Sequence, residues 1–260
     1  MNPSQTRFDF KNQTVVVTGG SRGIGRCICE AFSEAGADVY TCSRRGSDTP
    51  FEVREDGRTV QSEIVDVRDP AATEAWLNRC AEKRGGIDVL VNNAGGAPAI
   101  ASAEAQAKIT NKIIELNLNA PLVLSQQVHP FLKSRTNGGV IINIVSVSST
   151  RPTPTSVAYG AAKSGLMNAT LSLAVEWGPE IRVNCIIAGL VATELTSDHY
   201  GADQTKQKIM DGIPANRFAR PEEIAHACLF LAAKDSTYIS GAALEVHGGG
   251  EWPATIPRPS

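Results

Sequence analysis

The sequence predicts an α/β fold: a doubly wound parallel sheet of seven strands with helices on both faces. Three observations predict it. Seven short runs rich in β-branched residues alternate with longer stretches of helical periodicity. Several of the runs are apolar throughout rather than alternating, as in strands covered on both faces. The first run also passes directly through a glycine-rich turn into a helix.

In chain order, residues 14–18 (TVVVT) form the first strand and residues 25–35 the first helix. Strands are expected at 39–42, 60–65, 87–91, 140–145, 181–187 and 243–246, with helical stretches at 71–83, 104–134, 156–177 and 221–233. Pro121 lies inside the long 104–134 stretch, so a kink or a division into two helices is expected there. Residues 194–214, after the sixth strand, read as a lid carrying Leu195, Tyr200, Ile209 and Met210. The tail 248–260, with three glycines and three prolines, reads as irregular. No linker or repeat divides the chain, so residues 1–260 are expected to form one dinucleotide-binding catalytic domain, with tails at 1–10 and 250–260.

Composition narrows the function classes. The 260 residues are 42% hydrophobic and 20% charged, with a net charge of −2. That balance gives no basic stripe for nucleic acid or a membrane surface. No apolar run approaches the roughly 20 residues of a membrane helix, and the N-terminus lacks a signal-like apolar core, so a cytoplasmic location is expected. The six cysteines and four histidines (His129, His199, His226, His247) show no metal spacing and read as reduced thiols and structural or exposed imidazoles, with His199 the one that fits the substrate side.

The glycine turn reads Gly19-Gly20-Ser21-Arg22-Gly23-Ile24-Gly25. Glycines let backbone approach a pyrophosphate, and the helix that follows offers unpaired N–H groups and a positive dipole end. Strand, glycine turn and helix together mark a Rossmann-type dinucleotide site. An NAD site places a carboxylate at the end of the second strand; here the sequence reads Ser43-Arg44-Arg45, while Asp38 lies at the strand's other end. Arg44 and Arg22 suit a 2′-phosphate, so the expected cofactor is NADP(H), with NAD(H) the alternative.

Tyr159 and Lys163, four apart on a helix, share a face. A lysine ammonium beside a phenol favours the phenolate, which is expected to lower the Tyr159 pKa and make it a general acid–base. Ser146 ends a buried strand thirteen residues earlier, where ligand sites in such sheets lie, and its hydroxyl can hold a substrate oxygen.

With these motifs in register the chain resembles the single-domain short-chain dehydrogenase/reductases, over residues 11–249. Thr18 to Gly25 matches the family's T-G-x-x-x-G-x-G, Asp66-Val67 its adenine-contacting pair, and Asn92-Asn93-Ala94-Gly95 its N-N-A-G. Asn117, Ser146, Tyr159 and Lys163 match its catalytic set. The segment Gly189-Leu190-Val191-Ala192-Thr193 matches the one that contacts the nicotinamide carboxamide, through Val191 and Thr193.

The resemblance implies a seven-stranded sheet in the order 3-2-1-4-5-6-7 and a homotetramer built on the 104–134 and 156–177 helices and on the last strand with the 221–233 helix. It implies that Tyr159 exchanges the proton, Lys163 binds the nicotinamide ribose and tunes Tyr159, Ser146 positions the reacting oxygen, and Asn117 holds a water leading to Lys163. The partner is then a small carbonyl or alcohol substrate. The overall pattern is similar to the 3-oxoacyl carrier-protein reductase subfamily; sterols, acyl thioesters, sugars and small ketones all fit the class.

Two positions depart from the pattern. Ala188 replaces a proline before the sixth-strand loop, which predicts a looser loop, and His247 replaces an aspartate near the last strand. The competing classes are a catalytically silent dinucleotide-binding module and an isomerase or lyase. Both ordinarily lose part of the Ser, Tyr, Lys set, which is complete here.

Overall fold

A computed structural model describes residues 8–47, 49–194 and 203–252. Its strands are β1 (Thr14–Thr18), β2 (Asp38–Ser43), β3 (Gln61–Ile64), β4 (Val89–Asn92), β5 (Gly139–Ser146), β6 (Ile181–Ala188) and β7 (Ala243–Val246). Its helices are α1 (Gly23–Glu34), α2 (Pro70–Glu82), α3 (Ala107–Ile114), α4 (Ala120–Lys133), α5 (Val157–Glu176), α6 (Asp203–Gly212) and α7 (Pro221–Ala232). The strands form one sheet in the order β3-β2-β1-β4-β5-β6-β7, with every neighbouring pair parallel.

The sheet is covered on both faces because its central strands are apolar on both sides. Val15 and Val17 face a layer containing Ile28 and Phe32 of α1 and Ile224 and Cys228 of α7. Val16 and Leu90 face the opposite layer, with Trp76 and Leu77 of α2 and Leu124 and Val128 of α4. Helix starts follow local chemistry: Asp69 accepts from Ala71 and Ala72 N–H with Pro70 in the first turn of α2. At α7, Pro221 opens the helix and Glu223 accepts from Arg220 N–H at 2.8 Å.

The long stretch holding Pro121 divides as a π-helical turn, Glu115–Asn119, between α3 and α4. Proline supplies no N–H at that point, and the wider turn accommodates the gap. The β2-to-β3 crossover contains no helix among its described residues. Arg26 of α1 organises it instead, donating to Thr49 and Pro50 carbonyls at 2.8 and 2.9 Å while its guanidinium lies 4.5 Å from the Phe51 ring centroid.

Within the expected lid, residues 203–212 form α6; Leu195, His199 and Tyr200 lie outside the described residues. The looser loop expected from Ala188 is not found. Ala188 is a buried strand residue in register with Ser146 and Val246. The loop after it is pinned by Gly189 N–H to Val246 O (3.0 Å) and by Ala192 and Ala219, each hydrogen-bonded across to the other segment. Sheet pairing does the work a proline ring would have done.

Candidate active site

The glycine turn sits at the carboxyl end of β1, beside β4, where the helices leave on opposite faces; ligands bind at such switch points. Thr18 stitches the two strand ends together: its hydroxyl accepts from Asn93 and Ala94 N–H, both at 3.0 Å. Asn93 returns the contact, its amide donating to Thr18 and Gly19 carbonyls at 2.9 and 3.2 Å. That donor therefore holds the glycine turn in shape. Thr41, opposite Val17 in the sheet register, accepts from Gly20 N–H at 2.9 Å. Thr18 and Thr41 were not among the expected site residues. Only the β1–β2 register, which requires the sheet order, would have exposed Thr41.

The residues fit a dinucleotide. Gly19 adopts φ +72, a region closed to most side chains, and a Cβ there would press on Ala94. The first turn of α1 has no side-chain cap at Arg22, so its N–H groups stay available to a phosphate. Gly23 lies against Thr193, which brings the expected nicotinamide segment next to the turn. Ser21 lies between these points, and Ile24 follows Gly23 in the first turn of α1.

At the end of β2, Arg44 is exposed; Asp38, at the start of the strand, is tied to Lys83 and Arg84. Asp66, next to the buried Val67, is paired with Arg68 (2.6 and 3.0 Å), which holds its carboxyl below the usual range, and the field of Arg44 adds to this.

The second half of the site gathers around Gly95. Asn117 belongs to the π turn and is fully buried. Its side-chain oxygen accepts from Gly96 N–H at 2.9 Å, and its amide donates to Gly96 and Ile113 carbonyls at 3.0 and 2.9 Å. A Cβ on Gly95 would stand 2.7 Å from Asn117 Oδ1 and 3.2 Å from Lys163 Nζ, so only glycine lets these groups approach. Lys163, 3% exposed, donates to Ile144 O at 2.8 Å, and its ammonium lies 5.8 Å from the Tyr159 ring centroid. Ser146, at the end of β5, accepts from Ser148 N–H at 3.2 Å and faces Tyr159.

Helix α5, which carries Tyr159 and Lys163, is keyed to the sheet by buried polar groups. Asn92 donates to Asn143 at 2.9 Å, and Asn143 donates to Thr170 at 2.9 Å. These buried bonds fix the position of the helix, although Asn92 Oδ1 itself has no partner.

The electrostatics correct one expectation. The Tyr159 hydroxyl is raised above its ordinary value by burial, against which Ser146 acts; it is not lowered by Lys163. The ammonium is committed to the Ile144 carbonyl, and burial pushes its own pKa down to about 8. A cavity of about 370 Å³ is bounded by Leu190 after β6, by Ile213 and Arg217, and by Glu245 and His247 at the end of β7; none of Asn117, Ser146, Tyr159 and Lys163 lines it. His247 pairs with Glu245 at 3.1 Å and leaves its buried Nδ1 unpartnered.

Comparison with known proteins places this arrangement in a family. Residues 19–251 match a family model described as enoyl-(acyl carrier protein) reductase. The chain is 36% identical to the 3-oxoacyl-[acyl-carrier-protein] reductase of Chlamydia trachomatis, covering 92% of this chain and 97% of the relative. It is 32% identical to 2-dehydro-3-deoxy-D-gluconate 5-dehydrogenase of Escherichia coli, covering 93% and 96%. A crystal structure of a candidate NAD(P)-dependent gluconate 5-dehydrogenase from Beutenbergia cavernae, with NADP bound at low occupancy, superposes with a TM-score of 0.84 at 31% identity, covering 94% of this chain and 98% of that one. The chain belongs to the short-chain dehydrogenase/reductase family, nicotinamide-dependent oxidoreductases acting on CH–OH and C=O groups.

Proposed function

We propose that this chain interconverts a small carbonyl compound and its secondary alcohol with NADP(H). The observation that carries the reading is the convergence of Asn117, Ser146, Tyr159 and Lys163 around Gly95, at the carboxyl ends of β4 and β5. A bound nicotinamide supplies or takes the hydride. Ser146 holds the reacting oxygen. Tyr159, a neutral phenol whose pKa burial raises further, gives that oxygen its proton in reduction and recovers it in oxidation. Lys163 spends one donor on Ile144 and offers the others to the cofactor ribose. Asn117 fixes Gly96 and keeps Gly95 against Lys163; a water leading to Lys163 belongs beside it.

The cofactor cradle consists of Gly19, Ser21, Arg22, Gly23, Ile24 and Gly25, with Arg44 for the 2′-phosphate. Asp66 and Val67 stand at the adenine, Asn93, Ala94 and Gly95 along the β4 end, and Val191 and Thr193 at the nicotinamide. NADPH absorbance with a panel of carbonyl compounds tests the activity and separates it from a silent binding module. Arg44→Asp should raise the NADP(H) dissociation constant by about tenfold or more and improve NAD(H) binding, since it replaces a phosphate partner by a repelling charge. Equal wild-type affinities for the two cofactors would count against the assignment.

Relatives' names span acyl carrier protein, sugar, sugar-acid and steroid substrates, so family membership alone selects none of them. The assembly consistent with the surface is a homotetramer of cytoplasmic single-domain subunits that needs no nucleic-acid or membrane partner. Val157, Leu171 and Val175 are exposed along α5, and Phe230 and Tyr238 are exposed on and after α7. Two apolar patches on separate elements suit two isologous interfaces. No helix among the described residues is long and apolar enough to cross a membrane. Light scattering should give four times the chain mass, and a monomer at working concentration would exclude the assembly.

A further inference from the structure

We infer that Arg151 is a specificity-determining residue that selects substrates bearing a carboxylate at the end remote from the reacting oxygen. The inference rests on the oxidoreductase reading above and narrows it.

The substrate side of the site is bounded by the segments that leave the carboxyl ends of β4, β5, β6 and β7. Within residues 95–106, 147–156, 189–194 and 247–252, Arg151 is the one lysine or arginine; Lys206, Lys208, Arg217 and Arg220 stand on the later part of the β6-to-α7 segment. It lies five residues beyond Ser146, with the short helical turn Val147–Ser149 between them. That places its backbone roughly 10–17 Å along the chain from Ser146, and the long side chain shortens the remaining span. Arg151 therefore stands on the segment that leaves Ser146, on the carboxyl-end side of the sheet where substrates of such folds enter.

The segment carrying Arg151 is fixed rather than loose. Thr153 packs against Gly160, next to Tyr159. The carbonyl of Thr155 accepts from Ile100 N–H at 2.7 Å, joining the segments after β4 and β5. Thr155 does so at φ +64, a conformation that opposes a β-branched residue and persists only where the surroundings impose it.

Arg151 already holds a carboxylate. Its Nη1 lies 2.7 Å from Oε2 of Glu251, on the chain segment that follows β7. The next residue, Trp252, donates its N–H to Gly212 at the end of α6, so this segment also touches the lid helix. Both members of the ion pair are well exposed, at 38% and 48%, and such pairs are weak. A substrate carboxylate can replace Glu251 at little cost. Glu251 then acts as an internal competitor, occupying Arg151 until an anion of the right length arrives.

D-gluconate and D-glucitol test this, since they share a hydroxylated skeleton and differ in the carboxylate. Calorimetry on the NADP⁺-loaded wild type should show tighter binding of gluconate. Arg151→Gln should reduce the gluconate-over-glucitol preference, in affinity and in 1/KM, by about tenfold or more, as expected for loss of one charge-assisted contact. Glu251→Gln should increase that preference. Melting temperatures of both variants check that the fold is kept. A wild type that binds gluconate no better than glucitol, or an Arg151→Gln variant with the wild-type preference, overturns the inference. Turnover of neutral ketones alone would do the same while leaving the oxidoreductase reading intact. Absence of turnover on every carbonyl and alcohol tried would instead remove that reading.

Discussion

Replacing Tyr159 by phenylalanine should lower turnover by about 10²–10⁴-fold, the usual contribution of a positioned acid–base, while leaving cofactor affinity nearly unchanged. The substitution removes one hydroxyl from a side chain whose polar neighbour is Ser146. Helix α5 is held elsewhere, by Thr170 and Lys163, so the backbone has no reason to move. The pH profile carries the sign. In carbonyl reduction the neutral phenol is the active form, and burial extends its range upward, so activity should stay level through neutral pH and fall only in base. In alcohol oxidation the phenolate is required, and activity should rise with pH. A midpoint below the ordinary value of about 10 requires cofactor charge and Lys163 together to exceed the desolvation seen in the cofactor-free protein. Ser146→Ala should move the midpoint upward, because Ser146 is the group that favours the ionised form. Kinetics of both directions against pH would measure this; near-wild-type turnover by Tyr159→Phe with normal cofactor binding would rule Tyr159 out.

The parts legible in the sequence were those with local causes. Residues 14–18 place three valines between two threonines and are buried at every position because β1 is covered on both faces, and the boundaries follow directly. Tyr159 and Lys163 share a helix face through spacing alone. The edge strand β3 was legible through Val60, Ile64 and Val65 even though Ile64 is 73% exposed. Non-local causes were not legible. Pro121 marked a break, but the π turn is shaped also by Asn117 meeting Gly96 across the site, twenty-one residues away. The commitment of Asp66 to Arg68 competes with its expected adenine contact, and spacing cannot rank two such partners. The pairing of Arg151 with Glu251 joins residues one hundred positions apart and exists only because β5 and β7 end on the same side of the sheet. Burial misled most at Tyr159. The sequence suggests an adjacent ammonium, but the balance between that charge and lost water depends on what else the ammonium touches.

Replacing Lys163 by methionine should separate stability from function. Lys163 is 3% exposed, and burial alone lowers its pKa from 10.5 to about 8. Below pH 8 both folded and unfolded chains carry the charge, and the folded chain bears the full cost of desolvating it. Between pH 8 and 10.5 the folded chain releases its proton first, so stability should rise with pH through that window. At about 1.4 kcal/mol per unit, the cost at pH 7 is on the order of 3 kcal/mol. Methionine fills a similar volume without charge, but it leaves the Ile144 carbonyl without this donor, a loss of about 1–2 kcal/mol. The variant should therefore melt a few degrees above the wild type at pH 7. That advantage should shrink or reverse by pH 10, where the wild-type lysine is neutral and keeps its hydrogen bond. NADPH affinity and turnover should both fall, turnover by about 10²-fold or more, since the ribose loses its cation and the nicotinamide is no longer held against Tyr159. Melting curves at the two pH values, with an NADPH titration, would decide. A variant less stable than the wild type by the same margin at both would show that Lys163 is retained for packing, not held at a cost for the cofactor.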